Sequence, residues 1–466
     1  MEYFTLKGKD VRRLLMSLAF SVALVLGSFG VVIAADQEMD NAQDAVEDGE
    51  MANGEDINNL VDDASDFLLI LLNANEGDQI TNIVSNFDGT LVIADTQATA
   101  GNTLAATGFF DIATSTTFTV FMGNDDADSG GNTAAETSTL TVAGATGDNS
   151  SGSMVRGGTL ALQGATDVTG DFDGVVTLAG AVTLSAATVQ GGTGGTNHGA
   201  GMTLNLGDAS GDAIDITTLT ATGGTGAADP GGLATITVTG TLADATGGID
   251  INGGVAAADN GGAATVTIAE NLAALSGAVT VDGGSGSAAG VGGAAVFDTN
   301  GTVASSSDWT FTGGAGSSGG TGNGGAASID AEGAITSTGR ISFVGGAGGA
   351  GGTGAAGGAS SGALNNTATT FAGITITGGK GAATNVGVGG NAALADVGAL
   401  TSTDTILVTG GEGGTAAGAS TGGTATLTAG STSVLTGNVT VTGGAGNSND
   451  AADGGAATAT FTDDVT

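Results

Sequence analysis

The chain has 466 residues, 91 of them glycine, with one proline, no cysteine and a formal net charge of −40 at pH 7. So acidic a surface repels nucleic acid and anionic lipid, which excludes nucleic-acid binding, and a chain without cysteine is not a disulfide scaffold. Stability therefore has to come from packing and backbone pairing alone.

Residues 1–35 read as an export signal. Lys7, Lys9, Arg12 and Arg13 form a basic start, Leu14 to Ile33 is an apolar run, and Ala34 and Ala35 offer a small-residue cleavage site. The competing reading is an uncleaved membrane anchor, because the run is nearly long enough to span; no other segment is. Four of the seven bases and two of the 47 acids fall in this leader. The mature chain then holds 45 acids against three bases, Arg156, Arg340 and Lys380. Residues 36–56 are acidic, poor in apolar side chains, and expected to be disordered.

Residues 57–79 are expected to cap the first turn of a stacked region that begins near residue 80. Ile57, Leu60, Val61, Ala64, Phe67, Leu68, Leu71 and Leu72 recur at helical spacing, which suggests a helix; Phe67 to Leu72 reads equally as a buried strand. Between 80 and 190, strand-like runs such as Leu91-Val92-Ile93 and Phe118 to Phe121 begin a coil without a clean repeat. Gly157-Gly158, followed by Leu160, Leu162 and Val168, extends the later register back to residue 157.

From 191 to 466 the repeat is plain. Glycine pairs open at Gly191, Gly223, Gly253, Gly283, Gly313, Gly345, Gly378, Gly410 and Gly443, at intervals of 30 to 33 residues. A second pair closes each unit from Gly231 onward, and 21 or 22 residues separate it from the next opening pair. The stretch between the two pairs varies from six to ten residues, as a surface loop with its own mobility would. The constant part holds period-2 strands. One ends in pairs such as Ile249/Ile251, Trp309/Phe311 and Ile374/Ile376; another runs Ala234, Ile236, Val238. Eleven residues past the closing pair sits one more apolar residue: Leu242, Leu272, Val303, Ile335, Ala368 and Leu400, with Val434 one place late.

This pattern predicts an all-β fold, a right-handed parallel β-helix whose turns bury their apolar faces only against neighbouring turns. Nine to twelve turns at ~4.8 Å make a rod on the order of 50 Å long. A disordered glycine-rich polymer is the competing reading, but such chains do not keep Ile-x-Ile in register through eight units. The sequence stops within a turn, at Val465. Further turns and then a cap or outer-membrane anchor are expected after it, or head-to-tail stacking of copies.

Residues suited to chemistry are few. His198 lies in a glycine-rich loop with no cysteine or second histidine to share a metal. Ser318, Ser360 and Ser420 each sit in a Gly-x-Ser-x-Gly, without the strand-to-helix turn or the base a nucleophile elbow needs. Asp463 and Asp464 point to opposite strand faces and form no carboxylate dyad. Calcium is the best-motivated ligand: Asn124, Asp126 and Asp128 alternate oxygen donors as a hard-cation loop does, without the glutamate of an EF-hand. Asp208, Asp212 and Asp215 form a second oxygen-rich stretch. Gly-Gly-x-Gly openings lack the nine-residue period of calcium-binding nonapeptide arrays.

The Gly-Gly-x-Gly openings with Ala-Thr-Val-Thr-Ile and Val-Thr-Val-x-Gly-Gly strands, over residues 80–466, resemble the passenger regions of bacterial autotransporters and filamentous-haemagglutinin-like adhesins. The resemblance implies display at the cell surface, adhesion or matrix formation. The translocator barrel of an autotransporter is not in the sequence, so the secretion route stays open, and no functional residue carries over. The expected function is thus an exported structural or adhesive surface protein, not an enzyme, without a cofactor unless calcium. Its partners would be a host or neighbouring cell surface, glycans or further copies, with no membrane span in the mature chain. A polysaccharide-active enzyme is one alternative; its mark would be acids beside a basic or aromatic residue on adjacent turns. Ice binding is the other, suggested by Thr220/Thr222, Thr310/Thr312, Thr375/Thr377 and Thr440/Thr442, a row broken by Asp250/Asn252, Asp282, Val344 and Leu407.

Overall fold

The computed structural model describes residues 38–39, 56–62, 67–72, 79–85, 88–95, 103–124, 136–149, 155–164, 172–192, 199, 201–227, 229–351, 354–365, 368–382, 386–396, 398–415, 420–447 and 453–466. The fold among them is all-β, a solenoid of parallel ladders with no helix, and its glycine-punctuated turns number about nine. Each regular turn contributes three strands. In one turn these are Ala234–Val238, Thr241–Asp244 and Gly248–Asn252, and in the next Ala264–Ile268, Leu272–Leu275 and Val279–Asp282. Each strand pairs in parallel with its counterpart one turn on, as Ile236 with Val266 and Ile249 with Val279.

Alternation in the sequence becomes alternation of burial. In Ala234–Val238 the first, third and fifth side chains are buried and the two threonines half-exposed. Inward residues stack as ladders: Ile236, Val266, Phe297 and Ile329 from first strands, and Ile251, Val281, Phe311, Phe343 and Ile376 from third strands. Such stacking buries apolar area in every turn while the ladder satisfies the backbone. Part of the core is aromatic. Phe311 and Phe343 stack with ring centres 4.9 Å apart, Phe297 meets Trp309 at 5.3 Å, and the indole N–H of Trp309 donates to Ser305 at 3.0 Å. Gly362 then leaves the first-strand ladder without a side chain, and a small apolar gap lined by Ile329, Phe343, Phe371 and Leu394 lies beside it.

The stretch between glycine pairs is not a free loop. Its two limbs run side by side as a fin along the rod, held by a zigzag of backbone hydrogen bonds. Gly254 N–H donates to Gly232 O (2.9 Å), Gly262 to Gly254 (2.7 Å), Gly284 to Gly262 (2.8 Å) and Gly293 to Gly284 (2.7 Å), and the pattern continues to Gly455. The first glycine of each pair bonds along the rod instead, as Gly253 N–H to Asp282 O (2.8 Å) and Gly261 N–H to Val291 O (2.9 Å). In the longest of these stretches, 347–356, residues 352–353 lie outside the described residues, and the described ones are tied in the same way. Gly348 donates to Lys380 O, Gly349 donates to Gly322 O, and Ala355 is buried.

Four sequence expectations are resolved or changed. Of the two readings of the segment from residue 57, the described residues take the strand, Asp56–Asp62 and Phe67–Leu72, in parallel with Gln79–Ser85 and Gly89–Asp95, and not the helix. A strand there pairs with the open edge of the next turn, which a helix cannot do. Gly157–Gly164 pairs with Thr117–Asn124 and with Val182–Gln190, which puts it in the third-strand sheet rather than the first. Thr369, not Ala368, follows Ile335 in the core, because the corner after Leu364 is one residue longer than in the other regular turns. Ser433 is fully buried and Val434 is 46% exposed: the eleventh place past the glycine pair keeps its inward phase even when it holds a polar residue.

Within 36–56, Glu38–Met39 pairs antiparallel with Val61 and Leu60. Residues 1–37 and 40–55 lie outside the described residues. No helix among the described residues is long and apolar enough to cross a membrane.

Candidate functional site

All three bases beyond the leader are bound within the molecule. Arg156, at the start of Gly157–Gly164, places Nη2 against Asp215 and, at 2.8 Å, Asp244, while Nη1 donates to Thr217. The acids, register partners of each other, come from two and three turns along, 59 and 88 residues away, and each partner's side chain is about one-third exposed or less. Arg340 donates its backbone N–H to Asp308 (2.8 Å) and pairs through its guanidinium with Asp404. The side chain passes over Gly373, where an added Cβ would sit 3.3 Å from Nη2. The hydrogen bond from Thr405 N–H, and then Arg340, hold Asp404 below the usual carboxylate range. Lys380 meets Glu412 of the next turn at 2.8 Å on the fin. The remaining carboxylates far outnumber these cations, so the surface potential is negative along the rod.

Several acids are pulled inward. Asp111 and Asp148 are both under 10% exposed; Asp111 accepts from Asn149 N–H (2.7 Å), and Asp148 accepts from the N–H and hydroxyl of Thr114. Burial pushes the Asp111 carboxyl up, the Asn149 hydrogen bond opposes this, and the charge of Asp148 adds to it. Asp282 and Asp298 are also raised, chiefly by burial. Asp396 is the extreme case. It occupies the inward column between Leu364 and Ala429 and is 1% exposed. One oxygen accepts from Gly398 N–H at 2.8 Å, and the other has no hydrogen-bond partner. Burial lifts its pKa to about 6.

Those residues singled out from the sequence that are described form no common site. Asn124 ends the strand Thr117–Asn124 opposite Asp95, while Asp126, Asp128 and His198 lie outside the described residues. Asp208 and Asp212 meet in one turn, and Asp215 is drawn away from them. Asp212 accepts from the N–H groups of Ala209 and Asp208 in a tight turn, which lowers its pKa, whereas Asp215 goes to Arg156. Among the described residues no group of three or more potential metal-ligating side chains forms. Ser360 is buried and donates to Thr377 O (2.6 Å), Ser420 is buried and accepts from Gly387 N–H (3.2 Å), and Ser318 is exposed on the fin. Their hydrogen bonds tie the backbone together. The cluster that sequence reasoning missed is Arg156 with Asp215 and Asp244. Only the stacking of turns could reveal it, because nothing local links residues so distant in the chain.

No protein-family model, no curated protein and no solved structure matches the chain.

Proposed function

We propose that this chain is an exported repeat protein that serves at the cell surface as a structural or adhesive rod, without catalysis. The observation that carries this reading is continuity: among the described residues the same three ladders and the same glycine zigzag recur through the regular turns. A solenoid of this kind resists local opening, since each turn is hydrogen-bonded to both neighbours. Its dispersed carboxylates keep a long Thr- and Ala-rich body in solution. The leader supplies the route out of the cytoplasm, and the resemblance to surface-displayed passenger regions agrees with that destination.

One observation favours a second reading, a polysaccharide-active enzyme: Arg156 lies between two acids on neighbouring turns. Its guanidinium is already committed to Asp215, Asp244 and Thr217, which leaves little charge to hold an anionic sugar. Immunolabelling of intact cells that produce the full chain from its own leader tests the first reading. Surface label that external protease removes supports it; label reached only after lysis overturns it. Acidic glycans cleaved by the purified chain, with the cleavage lost in Arg156→Ala, would put the second reading in its place.

A further inference from the structure

The threonines noted in the sequence belong to the third strands, where acids interrupt them. The structure assembles a better array on the first strands. Register partners there run Thr139/Thr141, Val175/Thr177, Thr203/Asn205, Thr235/Thr237 and Thr265/Thr267, five successive turns with no shift of register. All ten side chains are half-exposed on the wet face of the sheet. Within them the one hydrogen bond is Asn205 Nδ2 to Thr177 Oγ1 at 3.2 Å. The array ends where Val296 and Asp298 take the next places.

Three properties narrow what such a face can hold. Its ten positions carry no charged side chain, in a molecule with 47 acids, and the nearest acids in register, Asp173 and Asp298, stand at its margins, so its ligand is neutral. It is periodic in two directions, ~4.8 Å from turn to turn and roughly 6.6 Å along each strand, so its ligand is a lattice and not a single small molecule. Each threonine offers a methyl and a hydroxyl, and Val175 preserves the methyl column where the hydroxyl is missing. A crystalline neutral polysaccharide would also be a neutral lattice. Flat sugar rings are gripped by exposed aromatic platforms, and none of the ten positions of this face holds an aromatic side chain.

We propose that the neutral threonine face spanning residues 139–267 binds ice, whose surface oxygens repeat at spacings comparable to those of the array. The hydroxyls and methyls would order water into the ice lattice. The stacked sheet keeps them in place, so little conformational entropy is lost on binding.

Single ice crystals grown in a solution of the full chain give the test. Faceted growth and a gap between melting and freezing points are expected. The double variant Thr203→Lys/Thr237→Lys, whose charges stand in the middle of the array, should abolish both effects. Thr375→Lys, on the third-strand sheet, should leave them intact. Circular-dichroism melting checks that the variants are folded. Should the double variant fail to fold, Thr237→Ser, which deletes one methyl, should still narrow the gap. Round, unfaceted crystals with the wild-type chain would overturn the proposal. So would equal loss in Thr375→Lys, adsorption to crystalline cellulose or chitin without any effect on ice, or a dimer of the chain that the double variant dissociates.

Discussion

Asp396 is the residue at which the core ladder departs furthest from its own rule. Its column otherwise holds Val238, Ile268, Thr299, Ala331, Leu364, Ala429 and Phe461. No other titratable or charged side chain lies on Ser360–Leu364, Ala392–Asp396, Ala399–Ser402, Ala425–Ala429 or the facing third strands Gly373–Thr377 and Ile406–Thr409. Because its folded pKa, about 6, lies above the ordinary 3.8, the folded chain holds this proton longer than the unfolded chain does. The stability linked to it is fully present below the lower value, falls as pH rises between the two, and is gone above the higher. A shift of this size corresponds to about 3 kcal/mol. Asp396→Asn keeps an oxygen for Gly398 N–H and removes the titration. It is expected to raise stability at pH 7.5 by about 2 kcal/mol and to flatten the slope between these pH values, read from urea unfolding across pH. An unchanged slope would mean that the carboxyl reaches water.

The fin is the element that most sets this solenoid apart from a bare three-sided coil. Its glycine pairs are required for closeness and not for unusual dihedrals, since none of those on the zigzag has a positive φ. A Cβ on Gly314 would lie 1.9 Å from Gly284 O, and one on Gly293 1.9 Å from Gly262 O. Backbone meets backbone there, so nothing flexible can yield. Gly314→Ala is therefore expected to cost 3 kcal/mol or more, roughly the penalty of an overpacked core. Gly319, in the same fin, has no atom within 4 Å of its Cβ position. Gly319→Ala should change stability by less than about 0.5 kcal/mol. Denaturant midpoints of the two variants check this directly, and similar losses in both would contradict the packing of the limbs.

At the scale of the whole molecule, charge is the dominant unbalanced term. With the three bases beyond residue 35 already paired, the rod repels itself, and screening should relieve that repulsion. Its melting temperature is expected to rise with sodium chloride. The calcium reading of Asn124, Asp126 and Asp128 adds a separable effect: calcium at matched ionic strength should raise the melting temperature further, and Asp126→Asn with Asp128→Asn should remove only that increment. Equal stabilisation by the two salts would reduce calcium to a counterion.

Much of this molecule was legible in one dimension. The 30–33-residue period, the strand positions and the inward residues follow from glycine spacing and period-2 alternation, because in a solenoid each turn meets only its neighbours. Phase and closeness were not legible. Ala368 and Val434 are apolar and lie near the right spacing, but the length of the preceding corner decides which residue faces inward, and it selects Thr369 and Ser433. The glycine pairs read as turn punctuation until the two limbs are seen packed at backbone contact. Arg156 finds Asp215 and Asp244, and the threonines of five first strands form one neutral face, only once the turns are stacked. A local pattern states which face a side chain occupies. The corners and the fin decide what stands beside it one turn away.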